Sequence, residues 1–494
     1  MTPATAAPAA NRRRAEVWLL VVALFLGVYA YAQVGLATTG SLPGNIVGYG
    51  LGMAALAFGF HVVLRRRAPY ADPVMLPVVV ALNGIGLAMI YRLDFAYLER
   101  GSSAGFAPRQ LLWTVIGVAM AAAVLWFLRD HRTLRRYTYT AMVTGLALIV
   151  LPLVPGLGAT INGARIWIRI GSTLSFQPAE LGKIALAVFF AGYLVTNRDN
   201  LAVAGPRFLR GHLPRGRDLG PILLAWAASL AVLVFERDLG TSLLFFGLFV
   251  AVLYVATERL SWVLIGLGLF AGGAVAAANL FPHVQARFDV WLHPLEPEIY
   301  DRSPGGSFQV AQGLFGLGNG GLMGTGWGQG YPHLVPFANS DFIVTSLGEE
   351  LGLTGLLAIL TLYLILAQRG FRTALAARDG FGKLLASGLT FVVAFQCFVV
   401  VGGVTRVIPL TGLTMPFLAY GGSSLLANWI ILGLLLRISD GARRPTPPQP
   451  SGGGTAPKAA AAEPIPVVGR NEEQADGGER PGEGEHPTEV VRRQ

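Results

Sequence analysis

Residues 281–352 read FPHVQARFDVWLHPLEPEIYDRSPGGSFQVAQGLFGLGNGGLMGTGWGQGYPHLVPFANSDFIVTSLGEELG. This is the long polar interruption of an otherwise apolar chain. One apolar run ends at its start and another begins at Phe342. It carries Arg287, Trp291, Gln309, Gln312, a glycine series from Gly313 to Gly330, then Pro336, Asp341 and the Glu349–Glu350 pair. A connection this long in a compact protein is either functional or disordered. Its content of Trp, Phe, Tyr and Leu is too high for disorder. The stretch is therefore expected to fold over a membrane-embedded cavity. Its chemistry is expected where the chain re-enters the bilayer, around Asp341.

On either side the chain is strongly apolar. Of 494 residues, 53% are hydrophobic and only 13% are charged, against about a quarter in ordinary soluble domains. The mean hydropathy is +0.54. Runs of about 20 apolar residues recur, which excludes a soluble globule. Spans are expected at 17–37, 47–64, 74–92, 110–128, 138–155, 179–195, 219–235, 240–257, 260–280, 342–367, 384–404 and 415–437. Helices are the default, because a lipid-exposed backbone must satisfy its own hydrogen bonds and these runs lack a barrel's alternation. The fold class is thus an all-α polytopic membrane protein with roughly twelve transmembrane helices. A large extracytoplasmic loop, 281–341, lies between the ninth and tenth.

The organisation expected is a cytoplasmic segment at 1–16, a transmembrane domain over 17–440 and a tail at 441–494. The tail turns to Pro, Gly, Glu and Arg and reads as disordered. Arginine placement orients the rest. Arg65 to Arg67, then Arg129, Arg132, Arg135 and Arg136, then Arg198 to Arg217, and later Arg369 to Lys383, fall in alternate loops. That side reads as cytoplasmic, with both termini on it. The opposite loops carry Arg165, Arg169, Arg237 and Arg406 against this rule, so these have a task there, such as holding an anionic group. The lone cysteine, Cys397, allows no internal disulfide. No Walker loop, dinucleotide fingerprint or zinc-ligand spacing is present, and nothing points to nucleic acid.

Four motifs carry candidate chemistry, each with a plainer reading beside it. Pro178 opens a helix on which Glu180 and Lys183 share a face. Ionisable groups inside a membrane segment are functional candidates, but the pair also suits a helix end. Asn162 to Arg169 alternates apolar and cationic residues, which suits phosphate at the water–lipid boundary or a simple interfacial anchor. Asp238 can cap the helix after it. Asp341 can do the same at the helix from Phe342, and a helix N-terminus would lower its pKa, whereas a general base works better with a raised one. From Gly402 to Ser424 a dense series of glycines and prolines predicts non-helical backbone, which survives at membrane depth only when buried or lining a wet cavity.

Together these motifs resemble the SEDS family (shape, elongation, division and sporulation), which includes RodA, FtsW and SpoVE. The resemblance covers roughly residues 74–440. It rests on Asn162-Gly-Ala with Trp167, on Gln177-Pro178 with Glu180 and Lys183, and on Asp238-Leu-Gly-Thr241. It rests also on Arg287, Trp291, Pro294, Gln309, Gln312, Gly320-Gly321, Pro336, Asp341-Phe-Ile343 and Glu349-Glu350-Leu-Gly352, and on the run from Pro409 to Ser424. His293, Phe308, Ala419 and Glu236-Arg237 depart from the family pattern. The first two spans lie beyond the smaller members, which points to the RodA-type branch of actinobacteria.

The resemblance implies an inverting peptidoglycan glycosyltransferase that polymerises lipid II at the outer face of the cytoplasmic membrane, for elongation. A division-specific FtsW-like polymerase and a lipid II flippase are the alternatives. It implies Asp341 as the catalytic base, and Arg165, Glu180, Lys183, Asp238, Arg287, Gln309, Gln312, Glu350, Arg406, Ser423 and Ser424 as substrate-binding candidates. A sugar hydroxyl needs a base to take its proton. The diphosphate leaving group is already a stable anion and needs cations more than an acid. One carboxylate then suffices where a glycoside hydrolase needs two. Arg165, Arg169, Lys183, Arg287 or Arg406, or a divalent cation such as Mg or Mn, can supply that charge. The implied partner is a class B penicillin-binding protein transpeptidase of the elongation or division machinery.

Overall fold

The structure, a computed structural model, describes residues 9–101, 105–161, 164–170, 174–202, 207–208, 211–212, 227–228, 231, 236, 238–303 and 305–445. Among them, eleven helical segments are long and apolar enough to cross a membrane. Each coincides with an expected span. The remaining one, 219–235, lies largely outside the described residues, as does the tail beyond residue 445. The chain is an all-α polytopic membrane protein.

The helices are α1 (Ala9–Thr39), α2 (Ile46–Arg67), α3 (Met75–Glu99), α4 (Phe106–Phe127), α5 (Thr138–Val150) and α6 (Ala179–Ala202). Then follow α7 (Leu239–Thr257), α8 (Leu260–Leu280), α9 (Pro282–Leu292), α10 (Pro297–Tyr300) and α11 (Phe308–Gly320). The last three are α12 (Ile343–Ala376), α13 (Gly380–Val404) and α14 (Gly422–Arg443). The centre of the bundle is α3, α13 and α14, buried nearly all round. Lipid is as apolar as leucine, so such helices associate by close packing of small residues. Gly86 is one: a Cβ there would overlap the backbone of Leu418. Gly86→Val should therefore force α3 from the 415–421 segment and cost about 1–3 kcal/mol, read as a lower melting temperature. A Gly86→Val protein that melts with wild type would show that this approach is slack.

Two features depart from the expected all-helical pattern. The stretch around Asn162 to Arg169, expected at the water–lipid boundary, belongs to an antiparallel sheet of β1 (Gly158–Ile161), β2 (Ala164–Ile170) and β3 (Leu174–Phe176). The alternation of Arg165, Trp167 and Arg169 with Ala164, Ile166, Ile168 and Ile170 is the period-two pattern of a strand. A two-stranded pair, β4 (Arg207–Phe208) and β5 (Gly211–His212), also forms.

The second feature is a break in α12. At 34 residues and about 1.5 Å rise each, it exceeds a bilayer core of about 30 Å. Gly352 interrupts it with φ 68° and ψ −173°, a left-handed value that favours glycine. Such a break orphans backbone groups on either side. The loop takes them up. Thr325 and Gly326 donate to the carbonyls of Glu349 and Glu350, and Leu353 and Thr354 donate to those of Gly321 and Leu322.

Candidate active site

The described residues of 281–342 fold as three helices and a 3-10 turn at Pro332–Leu334. Arg92 of α3 ties this connection down. Its Nε donates to Glu350 Oε1 at 3.0 Å and its Nη2 to the Gly330 carbonyl at 2.8 Å. Glu350 Oε2 accepts the Gly328 N–H at 2.9 Å. Glu349 Oε1 accepts from the Tyr331 N–H at 2.9 Å and from Asn319 at 3.1 Å. Trp327 packs against the buried cluster of Ala30, Tyr31 and Ala88, in which Tyr31 stacks between Tyr49 and Tyr91. Helices α1 and α2 thus buttress the same loop.

The irregular segment between α13 and α14 is the strut of the site. The Leu410 carbonyl accepts from Arg287 Nη1 at 2.6 Å. A Cβ built on Gly412 would lie 3.7 Å from Asp341 Oδ2. The Thr414 carbonyl accepts from Gln396 Nε2 at 2.8 Å, and Gln396 Oε1 accepts from Lys183 Nζ at 3.0 Å. Lys183 also pairs with Glu180 at 2.6 Å. Gln177 joins the other side: its N–H donates to Ser423 Oγ at 2.8 Å and its Nε2 to Asp238 Oδ2 at 3.4 Å. Three of the four described non-glycine residues with positive φ, Phe337, Arg406 and Phe417, lie in these segments. Such costly backbone gathers at functional sites.

Asp341 does not cap α12. The helix starts after Phe342 without a side-chain cap, and the Asp341 carboxylate accepts from Ser340 Oγ at 3.0 Å. The expected lowering by a helix N-terminus is therefore not the governing effect. Burial pushes its pKa up to about 6; the Ser340 hydrogen bond and Arg287 pull against this, and Asp238 adds to it. Burial also lowers the Arg287 pKa, which Asp238 and Asp341 oppose. The two carboxylates and the guanidinium thus act on one another.

Asp238, by contrast, does cap its helix. Its Oδ1 accepts the Thr241 N–H at 2.9 Å and its Oδ2 the Thr241 hydroxyl at 2.6 Å. Beside the cluster lies an apolar cavity of about 850 Å³ between α7, α8 and α13. Its lining includes Leu239, Phe288 and Thr411, each next in sequence to Asp238, Arg287 or Gly412.

The other candidates are placed as follows. Glu350 is 1% exposed and its carboxylate serves the Arg92 clamp. Gln309 donates to the Pro336 carbonyl at 3.1 Å and Gln312 to Tyr300 Oη at 3.1 Å, so both brace the loop. Arg406 donates to the carbonyls of Trp291 and Leu292, and Trp291 donates back to the Arg406 carbonyl. Ser424 is buried and bonded by Asn428. Arg165 donates to the Val154 carbonyl at 3.3 Å from the sheet. Among the described residues no group of three or more His, Cys, Asp or Glu stands ready to hold a metal ion. Sequence reading missed Gln396 and Arg92. A lone amide or guanidinium in an apolar span was the available signal.

Fold and site together define a membrane-embedded protein with a cluster of carboxylates and a guanidinium at one end of its helices, beside an apolar cavity. A family model described as "Cell cycle protein" and labelled for FtsW, RodA and SpoVE matches residues 73–444. The peptidoglycan glycosyltransferase RodA of Mycobacterium tuberculosis (strain ATCC 25618 / H37Rv) is 49% identical over 446 residues, 90% of this chain and 94% of that protein. The crystal structure of the Thermus thermophilus rod shape determining protein RodA aligns with TM-score 0.54 and 25% identity, over 76% of this chain and 98% of that one. A chain from a peptidoglycan synthase complex that coordinates polymerization and crosslinking aligns with TM-score 0.51 and 27% identity, over 81% and 98%. The chain belongs to the FtsW/RodA/SpoVE family. Helices α1 and α2, which brace the loop, precede the matched region.

Proposed function

We infer that the chain is a peptidoglycan glycosyltransferase of the RodA type, which joins lipid II units at the outer face of the cytoplasmic membrane. The observation that carries the mechanism is Asp341: a half-buried carboxylate with its pKa raised to about 6, under the influence of Arg287, whose neighbour Phe288 lines an apolar cavity. In this reading the cavity takes the polyprenyl chain. Arg287 meets the diphosphate, where a planar guanidinium binds bidentately. Asp341 takes the proton from the acceptor sugar's 4-hydroxyl as that oxygen attacks the donor's anomeric carbon. The bond to the diphosphate breaks from the opposite side, which inverts the centre. Glu180, Lys183 and Gln396 hold the 414 end of the strut, and Gln177, Asp238 and Ser423 its flank. The cationic side chains of this chain carry the leaving-group charge in this scheme, and no step runs through a metal.

The base must be ionised to work. With a pKa of about 6, its active fraction grows as pH rises through 6 and saturates above. Polymerisation should fall about tenfold per unit at pH below about 6. A rate flat from pH 5 to 8 would rule out Asp341 as the titrating base. The test of the whole reading is glycan-strand formation from lipid II by the purified protein. Movement of lipid II across vesicles without strands would favour the flippase instead.

The orientation rests on the arginine asymmetry. Met323 is 76% exposed in the loop, and Arg372 is exposed at the other end of α12. Cys397 is buried. A cysteine at 323 should react with an impermeant maleimide in intact spheroplasts, and one at 372 should not. The reverse pattern would invert the topology and move Asp341 to the wrong side. The partner proposed is a class B penicillin-binding transpeptidase, supported by the likeness to a chain of a complex that couples polymerization to crosslinking.

A further inference from the structure

A second cavity, of about 250 Å³, opens at the opposite, arginine-rich end of the bundle. It lies where the chain leaves α4, turns through a 3-10 segment at His131–Tyr137, enters α13 and leaves α14. Five guanidinium groups line it, against three carboxylates.

The carboxylates are already engaged. Asp379 accepts from His131 Nε2 at 2.9 Å, from Arg132 Nε at 3.3 Å and from the Gly382 N–H at 2.8 Å. Asp440 pairs with Arg444 at 2.7 Å and accepts the Tyr70 N–H at 2.9 Å. Asp130 accepts the Arg132 N–H at 2.9 Å. Two arginines of the lining are left over. Arg129 and Arg378 form no ion pair among the described residues, and Arg378 donates only to the Arg444 carbonyl. Behind them stands Arg437, 4% exposed. It donates to the carbonyls of Arg67 and Leu125, and its Nε has no hydrogen-bond partner among the described residues.

We propose that this cavity is a binding site for a phosphate-bearing anion, held between Arg129 and Arg378 above Arg437. Positive charge exceeds negative charge in the lining, and guanidinium groups bind phosphate oxygens in parallel pairs. At about 30 Å³ per water, the volume admits a phosphate with a small polar substituent. The site sits where helices end at the membrane boundary, and basic pockets between helix ends take anionic headgroups. An anionic phospholipid and a free phosphate share this chemistry, and the experiment separates them.

The full-length protein in a neutral detergent is titrated calorimetrically with dihexanoyl phosphatidylglycerol and with inorganic phosphate. Dihexanoyl phosphatidylcholine serves as the uncharged control. Arg129→Gln/Arg378→Gln changes two exposed side chains, and its melting temperature without ligand reports its fold. Arg372→Gln, at the same end but outside the cavity, is the matched control. The expected result is saturable binding of the anionic probes, weakened about tenfold or more in the double variant and unchanged in Arg372→Gln. Tighter binding of phosphatidylglycerol assigns the site to lipid, and equal or tighter binding of phosphate assigns it to a free anion; either supports the proposal. Absence of saturable binding, binding equal to that of phosphatidylcholine, or a folded double variant that binds like wild type overturns it.

Discussion

Asp341→Asn should lower strand formation by about 100-fold or more, the scale of a lost general base, while the protein folds as before. The reasons lie in the geometry. Asn has nearly the same shape and keeps an oxygen for the Ser340 hydroxyl, 3.0 Å from Oδ1. No capping bond is lost, because α12 has no side-chain cap. Burial already disfavours the charged form, so a neutral amide carries no stability penalty of that kind. What disappears is the proton acceptor. A structural role predicts otherwise: activity and melting temperature would both survive in the Asn variant. Asp341→Glu keeps the base but moves it by about one methylene, and misplacement on that scale is itself costly. It should retain some activity, with the acid limb preserved. The measurements are strand yield from lipid II and melting temperature for the three proteins. An Asn variant with wild-type yield would remove Asp341 from the chemistry.

The second large effect is on stability. Arg92→Met should destabilise the protein by about 3–5 kcal/mol, the cost of leaving one member of a buried ion pair alone. Glu350 would remain, 1% exposed, with only the Gly328 N–H to answer its charge, and the Gly330 carbonyl would lose its donor. The loop from 321 to 331 hangs on these bonds, so strand formation should decline with stability. The double variant Arg92→Met/Glu350→Gln should recover most of the loss, because removing both charges of a buried pair is often close to neutral. Thermal melts of the singles and the double, treated as a cycle, provide the check. A single variant as stable as wild type would show that the clamp does not hold the loop.

How much of this was legible from the chain depends on the range of the interaction. Membrane spans are local: about 20 apolar residues in a row announce themselves, and eleven described segments fall where they were expected. The breakers from Gly402 to Ser424 were also legible, and residues 405–421 are non-helical. The sheet at 158–176 was missed because its alternation also suits an interface, and only the partner strand decides. The break at Gly352 was missed because a glycine in an apolar run looks tolerable. Its conformation depends on Gly321 to Gly326, some thirty residues earlier, which take up the freed backbone groups. The same applies to Asp341. Position next to a helix start suggested a cap, whereas its surroundings come from Arg287, Gly412 and Ser340. Glu350 read as a site residue through the resemblance, as part of the Glu349-Glu350-Leu-Gly352 pattern, but its partner Arg92 is 258 positions away. Long-range pairs of this kind leave no mark on local spacing.

The central claim is that this chain joins lipid II units through Asp341, and one reconstitution tests it. The purified protein, with no other polymerase present, is incubated with lipid II at pH 7.5 beside Asp341→Asn, and the products are resolved on a gel. The account predicts a ladder of glycan strands from the wild-type protein and unreacted lipid II from the folded variant. Unreacted lipid II in both lanes, or equal ladders, would contradict it.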